Sequence, residues 1–282
     1  MKRFSQLSVP YIVWSVIMLL LPMLLIVFYA FTDAGNEIMT FRFTLDNFIK
    51  FFTDPDFLLV LWRSIKIALK TTVICVLLGY PIAYFIAFSS DKMRNILILA
   101  ITLPTWINML VRTYAWIGIL SEGGIVSELL SLIGLKDVEL LYTEGAVLLG
   151  MVYNFIPFMI LQINTSLSKM DRSLTDASND LGADGIQTFL RVTLPLSLPG
   201  VVSGISLVFL PAVSSFFIPK LLGGGQYFLI GNVIENQFIT VGEWNFGSAI
   251  SLIMALIMMA SMYVVRKLED YSSGGKEERQ EI

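Results

Sequence analysis

The chain has 282 residues, 56% of them hydrophobic and only 15% charged, with a net charge of −3; soluble domains run nearer one-quarter charged. It has no histidine, and its one cysteine, Cys75, lies inside an apolar run. That excludes Ser-His-Asp and Cys-His catalysis, the His-Glu-x-x-His zinc site, a disulfide framework and cysteine metal clusters. With mean hydropathy +0.75, several apolar runs of bilayer-crossing length and no basic stripe for nucleic acid, the composition describes an all-α integral membrane protein.

Six spans are predicted, at about 10–31, 67–89, 96–120, 146–166, 197–219 and 246–265. The first follows Lys2 and Arg3. Its apolar run exceeds a signal-peptide core and no Ala-x-Ala site follows, so it reads as a retained helix in a multi-pass cell-membrane protein. With the N-terminus inside, the inner segments hold Lys2, Arg3, Lys92, Arg94, Lys169, Arg172, Arg191, Arg266, Lys267, Lys276 and Arg279. The outer ones hold Arg42, Lys50, Arg63, Lys136 and Lys220 among many carboxylates. The excess of Lys and Arg therefore sets both termini in the cytoplasm. Lys66 and Lys70, near the outer end of span two, are expected to snorkel outward.

Three outer segments separate the spans. The first carries a polar and aromatic stretch, Phe43-Thr44-Leu45-Asp46-Asn47-Phe48. In the second, Ile125, Leu129, Leu132 and Ile133 recur at helical spacing and predict a short amphipathic helix. The third opens with a flexible turn, Gly223-Gly224-Gly225. A transmembrane domain thus covers 1–271, with a main inner segment at 167–196, and a polar tail covers 272–282. Pro22, Pro81, Pro104, Pro157 and Pro211 fall in spans one to five. Each removes a backbone hydrogen bond, which predicts a set of bent helices and points toward a transporter or channel.

No Asp or Glu lies inside the six predicted spans, and there is no Gly-x-x-x-x-Gly-Lys-Ser/Thr loop. The chain has neither an intramembrane proton relay nor a phosphate cradle of that kind. Either its energy enters from another polypeptide, or it is a passive channel or secondary carrier. The inner segment bears on this choice. Ser173 and Asp176 resemble a capping box opening a short helix, on which Leu174, Ala177 and Leu181 share one narrow face. Ala177 and Ser178 are small, Gly182 permits a sharp turn, and Pro195 is expected to stop a second helical piece before span five. This is a helix-turn-helix knob suited to a groove on a partner.

The stretch Asp176-Ala177-Ser178, Gly182 and Val192-Thr193-Leu194-Pro195 resembles the EAA loop of binding-protein-dependent ABC importer permeases. That pattern reads Glu-Ala-Ala, three residues, Gly, nine residues, then Ile-x-Leu-Pro. The spacing is the same throughout; Asp176, Ser178 and Val192 are the departures, and the shorter acid at 176 reaches less far. Leu78-Gly79-Tyr80-Pro81-Ile82-Ala83-Tyr84, Leu103-Pro104-Thr105-Trp106, Ala115-Trp116, Leu210-Pro211-Ala212, Leu222-Gly223-Gly224 and Leu229-Ile230-Gly231-Asn232-Val233-Ile234 are similar to the polyamine branch of that family. The likeness runs from about Phe43 to Val265.

The resemblance implies a type I ABC importer permease fold and a non-catalytic subunit working by alternating access, with no cofactor of its own. ATP and Mg would be held by a partner ABC ATPase dimer. A second related permease and an extracytoplasmic polyamine-binding protein would complete the machine, within membrane lipid. The coupling contacts would be Asp176, Ala177, Ser178, Leu181, Gly182, Leu194 and Pro195. A polyamine is a multiple cation, and aromatic faces are the means of holding it where carboxylates are absent. Trp106, Tyr114, Trp116, Tyr153, Phe216 and Phe217 are the candidate rings, with Asn108 and Asn154 as acceptors. Phe216-Phe217, at the outer end of span five, are the expected gate, and Glu235 is the expected outer attractor of the cation. Arg112, inside span three, does not suit a cation path and is assigned to a partner subunit or to support.

Overall fold

The computed structural model describes the backbone of residues 2–34, 41–134 and 138–274, and the side chains of 10–33, 42–134 and 138–267. Of the expected tail, residues 272–274 continue the last helix, while residues 275–282 and the side chains of Lys2, Arg3, Lys136, Lys276 and Arg279 lie outside those limits. In chain order the elements are α1 (Lys2–Ala30), the antiparallel strands β1 (Thr32–Ala34) and β2 (Phe41–Phe43), α2 (Asp46–Thr53), α3 (Pro55–Phe88), α4 (Asp91–Thr102), a 3-10 turn (Leu103–Trp106), α5 (Met109–Leu120) and α6 (Ile125–Leu132). There follow α7 (Glu144–Ser168), α8 (Ser173–Asp180), α9 (Gly185–Thr188), a π turn (Phe189–Thr193), α10 (Leu194–Ser214), α11 (Phe217–Leu222), α12 (Ile230–Asn236), a second π turn (Gln237–Val241) and α13 (Trp244–Gly274). The chain divides into two compact units, Met1–Leu61 with Val233–Met258, and Trp62–Asn232 with Met259–Ile282.

Among the described residues, six helical segments are long and apolar enough to cross a membrane: Pro10–Ala30, Pro55–Phe88, Met109–Leu132, Glu144–Ser168, Gly185–Ser214 and Trp244–Lys267. The predicted number of spans holds; three of their outlines do not. Span two starts at Pro55 rather than about 67. Its first turns carry Asp56, Arg63 and Lys66, which hydropathy reads as loop, whereas helix formation does not require them to be apolar. At 1.5 Å per residue it is roughly 50 Å long, well beyond the ~30 Å hydrocarbon thickness, so it projects into water. Span three is broken at the 3-10 turn, and span five ends at Ser214, with Phe217–Leu222 forming a separate short helix.

In the first unit the end of α1 is clasped by two amides. Asn47 Nδ2 donates to the Ala30 and Thr32 carbonyls, and Asn245 Nδ2 to those of Tyr29 and Thr32. These satisfy carbonyls that every helix C-terminus leaves unpaired. Strands β1 and β2 pair with Thr32 opposite Phe43, and Lys50 bridges Glu243 at 3.2 Å while lying over the Phe246 ring.

The second unit is organised on α7 and α10. Small residues of α10 allow contact at backbone range: a Cβ on Gly200 would stand 2.8 Å from the Gln162 carbonyl oxygen, and one on Gly204 would stand 2.5 Å from Met159 Sδ. Such close approach is how helices pack where lipid supplies no hydrophobic drive. Met151, Met159 and Ile163 of α7 and Ile67, Ala68 and Cys75 of α3 are fully buried. Lys70 forms an ion pair with Glu144 in the first turn of α7, a residue of the second predicted outer segment. The short amphipathic helix is present as α6, with Ile125, Leu129, Leu132 and Ile133 all exposed.

Candidate functional site

The inner segment forms the expected knob, with two changes of detail. Ser173 is the first residue of α8 and not its cap. The Asp171 carboxylate accepts from the Ser173 backbone N–H at 2.9 Å, a turn two residues long that an Asp makes readily. The same hydrogen bonds hold the Asp171 carboxyl below its ordinary range. Helix α8 ends in Gly182 at φ +85°, with no atom within 4 Å of a would-be Cβ. The left-handed backbone, rather than lack of room, is what calls for glycine. Asp184 then caps α9 by accepting from Gln187 N at 2.7 Å.

Pro195 does not stop a helix. Helix α9 runs through the π turn into α10, and the Leu194 N–H reaches back to the Phe189 carbonyl. This wide turn makes room for the proline ring and for the hydrogen bond that proline cannot donate. Asp176, Ala177, Leu181 and Gly182 are exposed, with Leu181 nine-tenths so, and Ile186 joins them. Leu194 is half-buried and Pro195 exposed. Ser178, by contrast, turns inward. Its Oγ is 3.0 Å from Thr188 Oγ1, which in turn donates to Asn179 Oδ1, so the hydroxyl ties α8 to α9.

Four residues link this knob to the membrane helices. The Phe189 ring stands edge-on to Tyr80 at 5.5 Å and to Tyr84 at 6.0 Å. The Tyr80 hydroxyl bonds Ser197 Oγ at 2.6 Å. The knob is thus joined to α3 through Phe189, and α3 to α10 through Tyr80 and Ser197. Sequence periodicity could not assign this role, because Phe189 reads as one more apolar residue.

The candidate path residues do not form one cluster. Trp116 packs edge-to-face on Tyr153 at 5.4 Å, and the Arg112 guanidinium lies 5.9 Å from the same Tyr153 ring. Arg112 Nε and Nη1 are buried without a hydrogen-bond partner among the described residues. The chain thus sets its own cation on the ring where a substrate ammonium was expected. Asn154 is buried, with Nδ2 donating to the Gly150 carbonyl and Oδ1 unpaired. Trp106 and Tyr114 are exposed. Asn108 spends its side-chain oxygen on capping α5, accepting from Leu110 N at 2.8 Å. Glu235, half-buried on α12, belongs to the other unit.

Phe216 and Phe217 stand at the break between α10 and α11, with ring centroids 4.1 Å apart. Broken backbone within a membrane helix is tolerated only where its polar groups are met by protein or by a water-filled cavity. Here Asn232 Nδ2 donates to the Phe216 carbonyl at 2.8 Å, while its oxygen accepts from Leu229 N. At the other break, the Thr105 hydroxyl donates to the Thr102 carbonyl and Ile107 N to the Pro104 carbonyl. Asn232 lies in the family-like stretch without being singled out there; an amide directly after Gly231, in an otherwise apolar run, is the signal that marks it.

Six candidate spans, two protein-satisfied breaks and an exposed knob fastened to α3 and α10 define a multi-pass membrane component. The chain belongs to the family of binding-protein-dependent transport system inner membrane components, matched over residues 3–272, and is a multi-pass, non-catalytic permease subunit. It is 37% identical over 283 residues to the spermidine/putrescine transport system permease protein PotB of Salmonella typhimurium, covering 96% of this chain and 98% of that one. It is 38% identical to PotB of Escherichia coli, covering 87% and 90%. Its fold is similar to a chain of a bacterial ABC transporter involved in the import of the acidic polysaccharide alginate, with TM-score 0.76, 19% identity and 96% of each chain covered.

Proposed function

We propose that this chain is one of two related permease subunits that import polyamines such as spermidine and putrescine, both termini facing the cytoplasm. A cytoplasmic ABC ATPase dimer binds ATP and Mg and grips the knob; this chain carries no cofactor. An extracytoplasmic binding protein delivers the polyamine, and the two subunits alternate between outward- and inward-open packings. The observation that carries the reading is the knob, whose exposed Leu181 tip is joined through Phe189 and Ser197 to α3 and α10. The polyamine assignment is supported by the two relatives named for spermidine and putrescine.

Asp176, Ala177, Leu181 and Gly182 form the docking face in this reading, Ser178 holds the knob together, and Leu194 and Pro195 pass its motion on. Phe216 and Phe217 gate the path at the break. Trp106, Tyr114 and Asn108 lie along it, Trp116, Tyr153 and Asn154 support it beside Arg112, and Glu235 draws the cation. The deciding experiment is labelled spermidine uptake into liposomes containing the complete complex, with competing solutes. Uptake that requires ATP, ATPase and binding protein, and that putrescine but not sugars or amino acids displaces, is the expected result. Displacement by an unrelated solute overturns the substrate. Accumulation by this chain alone overturns the mechanism in favour of a channel or carrier.

A further inference from the structure

A cavity of about 340 Å³ opens where α3, α4 and α7 meet, lined by Asp91, Arg94, Ser168, Met170 and Arg172 among others. At about 30 Å³ per water it exceeds what one or two structural waters fill. Two guanidiniums converge on it. Arg94 Nη2 donates to the Ala87 carbonyl at 3.1 Å, and Arg172 Nη2 donates to the same oxygen at 3.4 Å with its guanidinium over the Phe88 ring. Capping the end of α3 accounts for one arginine. It does not account for two, nor for Arg94 Nε, which is buried with no hydrogen-bond partner among the described residues. The only carboxylate in the lining, Asp91, pairs with Arg94 at 3.3 Å but is 93% exposed, so the cavity keeps a positive excess.

Depth gives the ligand its class. Phe88 ends one membrane-crossing helix and Ser168 another, so the cavity stands where hydrocarbon gives way to headgroups. Phe85 and Met93, within a turn of it on the same helices, are exposed and apolar, as surfaces that meet acyl chains are. Basic pockets between membrane helices at that level receive anionic headgroups, and planar guanidiniums suit phosphate oxygens. We propose that Arg94 and Arg172 form a binding site for the phosphodiester of an anionic phospholipid, seated at the end of α3 beside the root of the knob.

The test is made on the complete complex purified in mild detergent, with phosphatidylglycerol and phosphatidylcholine carried over being measured by mass spectrometry. Wild type is expected to retain phosphatidylglycerol over phosphatidylcholine. In Arg172→Gln retention falls by about tenfold, the loss expected of one charge-assisted hydrogen bond. Because Arg94 also caps α3, the second variant is Asp91→Asn, exposed and harmless to folding, in which retention rises. Equal phosphatidylglycerol in wild type, Arg172→Gln and Asp91→Asn overturns the proposal. So does displacement of the lipid by millimolar inorganic phosphate, which assigns the site to a soluble anion. Equal retention of phosphatidylcholine overturns the selectivity for anionic headgroups.

Discussion

Replacing Gly200 by alanine sets two known effects against each other. In the middle of a helix, Gly→Ala is worth roughly 0.5–1 kcal/mol in favour of folding. At Gly200, however, the new Cβ would lie 2.5 Å from Ser166 Cβ, 2.8 Å from the Gln162 carbonyl oxygen and 3.3 Å from Ile163 Cα. None of these atoms is the end of a flexible side chain, so no rotamer change relieves the clash. Helices α7 and α10 have to part by about 0.6–0.9 Å to restore ordinary contact, and overpacking of this kind costs about 1–3 kcal/mol. The backbone clash outweighs the helical gain, leaving Gly200→Ala destabilised by up to about 2.5 kcal/mol. Gly118, in α5, has nothing within 4 Å of its Cβ position. Gly118→Ala therefore keeps the helical gain of about 0.5–1 kcal/mol. The chain carries its own reporter: Cys75 is the sole cysteine, is fully buried, and lies with Sγ 3.9 Å from the Val152 carbonyl of α7. Heating the purified complex with a thiol-reactive fluorogenic maleimide, at one fixed scan rate, reads its exposure. Gly200→Ala should react several degrees earlier than wild type and Gly118→Ala no earlier than wild type. A midpoint for Gly200→Ala at or above wild type would refute the close packing of α7 on α10.

Two further outcomes follow from the knob. At Gly182 the space is open and the backbone left-handed, so side-chain conformation rather than bulk sets the cost. Gly182→Asn should retain most ATP-driven uptake, whereas Gly182→Val should uncouple ATP hydrolysis from uptake at a backbone cost of about 1–2 kcal/mol; equal activity of the two would contradict this. The Asp171 carboxyl is held below its ordinary value of 3.8 by the Ser173 backbone and hydroxyl. Its contribution to α8 is present above that value and is lost as pH falls through the lowered one. Coupling should show no Asp171-dependent change between pH 5 and 8 when wild type and Asp171→Ala are compared, and the two should converge only in strong acid.

The spans and the knob were legible because both are written in local pattern: hydropathy for the former, and Asp176, Gly182 and Pro195 at fixed spacing for the latter. What the pattern could not carry is where distant groups intervene. The break in span five depends on a partner supplied from elsewhere, as Asn232 supplies Phe216, and the break in span three on a local 3-10 turn around Pro104. Hydropathy, averaging over such windows, runs straight across them. Pro195 was read as a stop because a proline ends an ordinary helix; the π turn before it is an accommodation that no single residue announces. Tyr153 read as a free ring because its neighbour on α5, Arg112, is 41 positions away in sequence. The departure from the family pattern at Ser178 has a local cause, its bond to Thr188, that only the folded turn reveals.

The π turn at Phe189–Thr193 holds one more residue than an α-helical turn over the same stretch. Since each residue advances an α-helix by about 100°, the surplus residue offsets the face of the short helix α9 from the one it would present on an uninterrupted continuation of α10. The wide turn therefore sets which side of the short helix α9 follows on from the contact that Phe189 makes with Tyr80 and Tyr84 of α3.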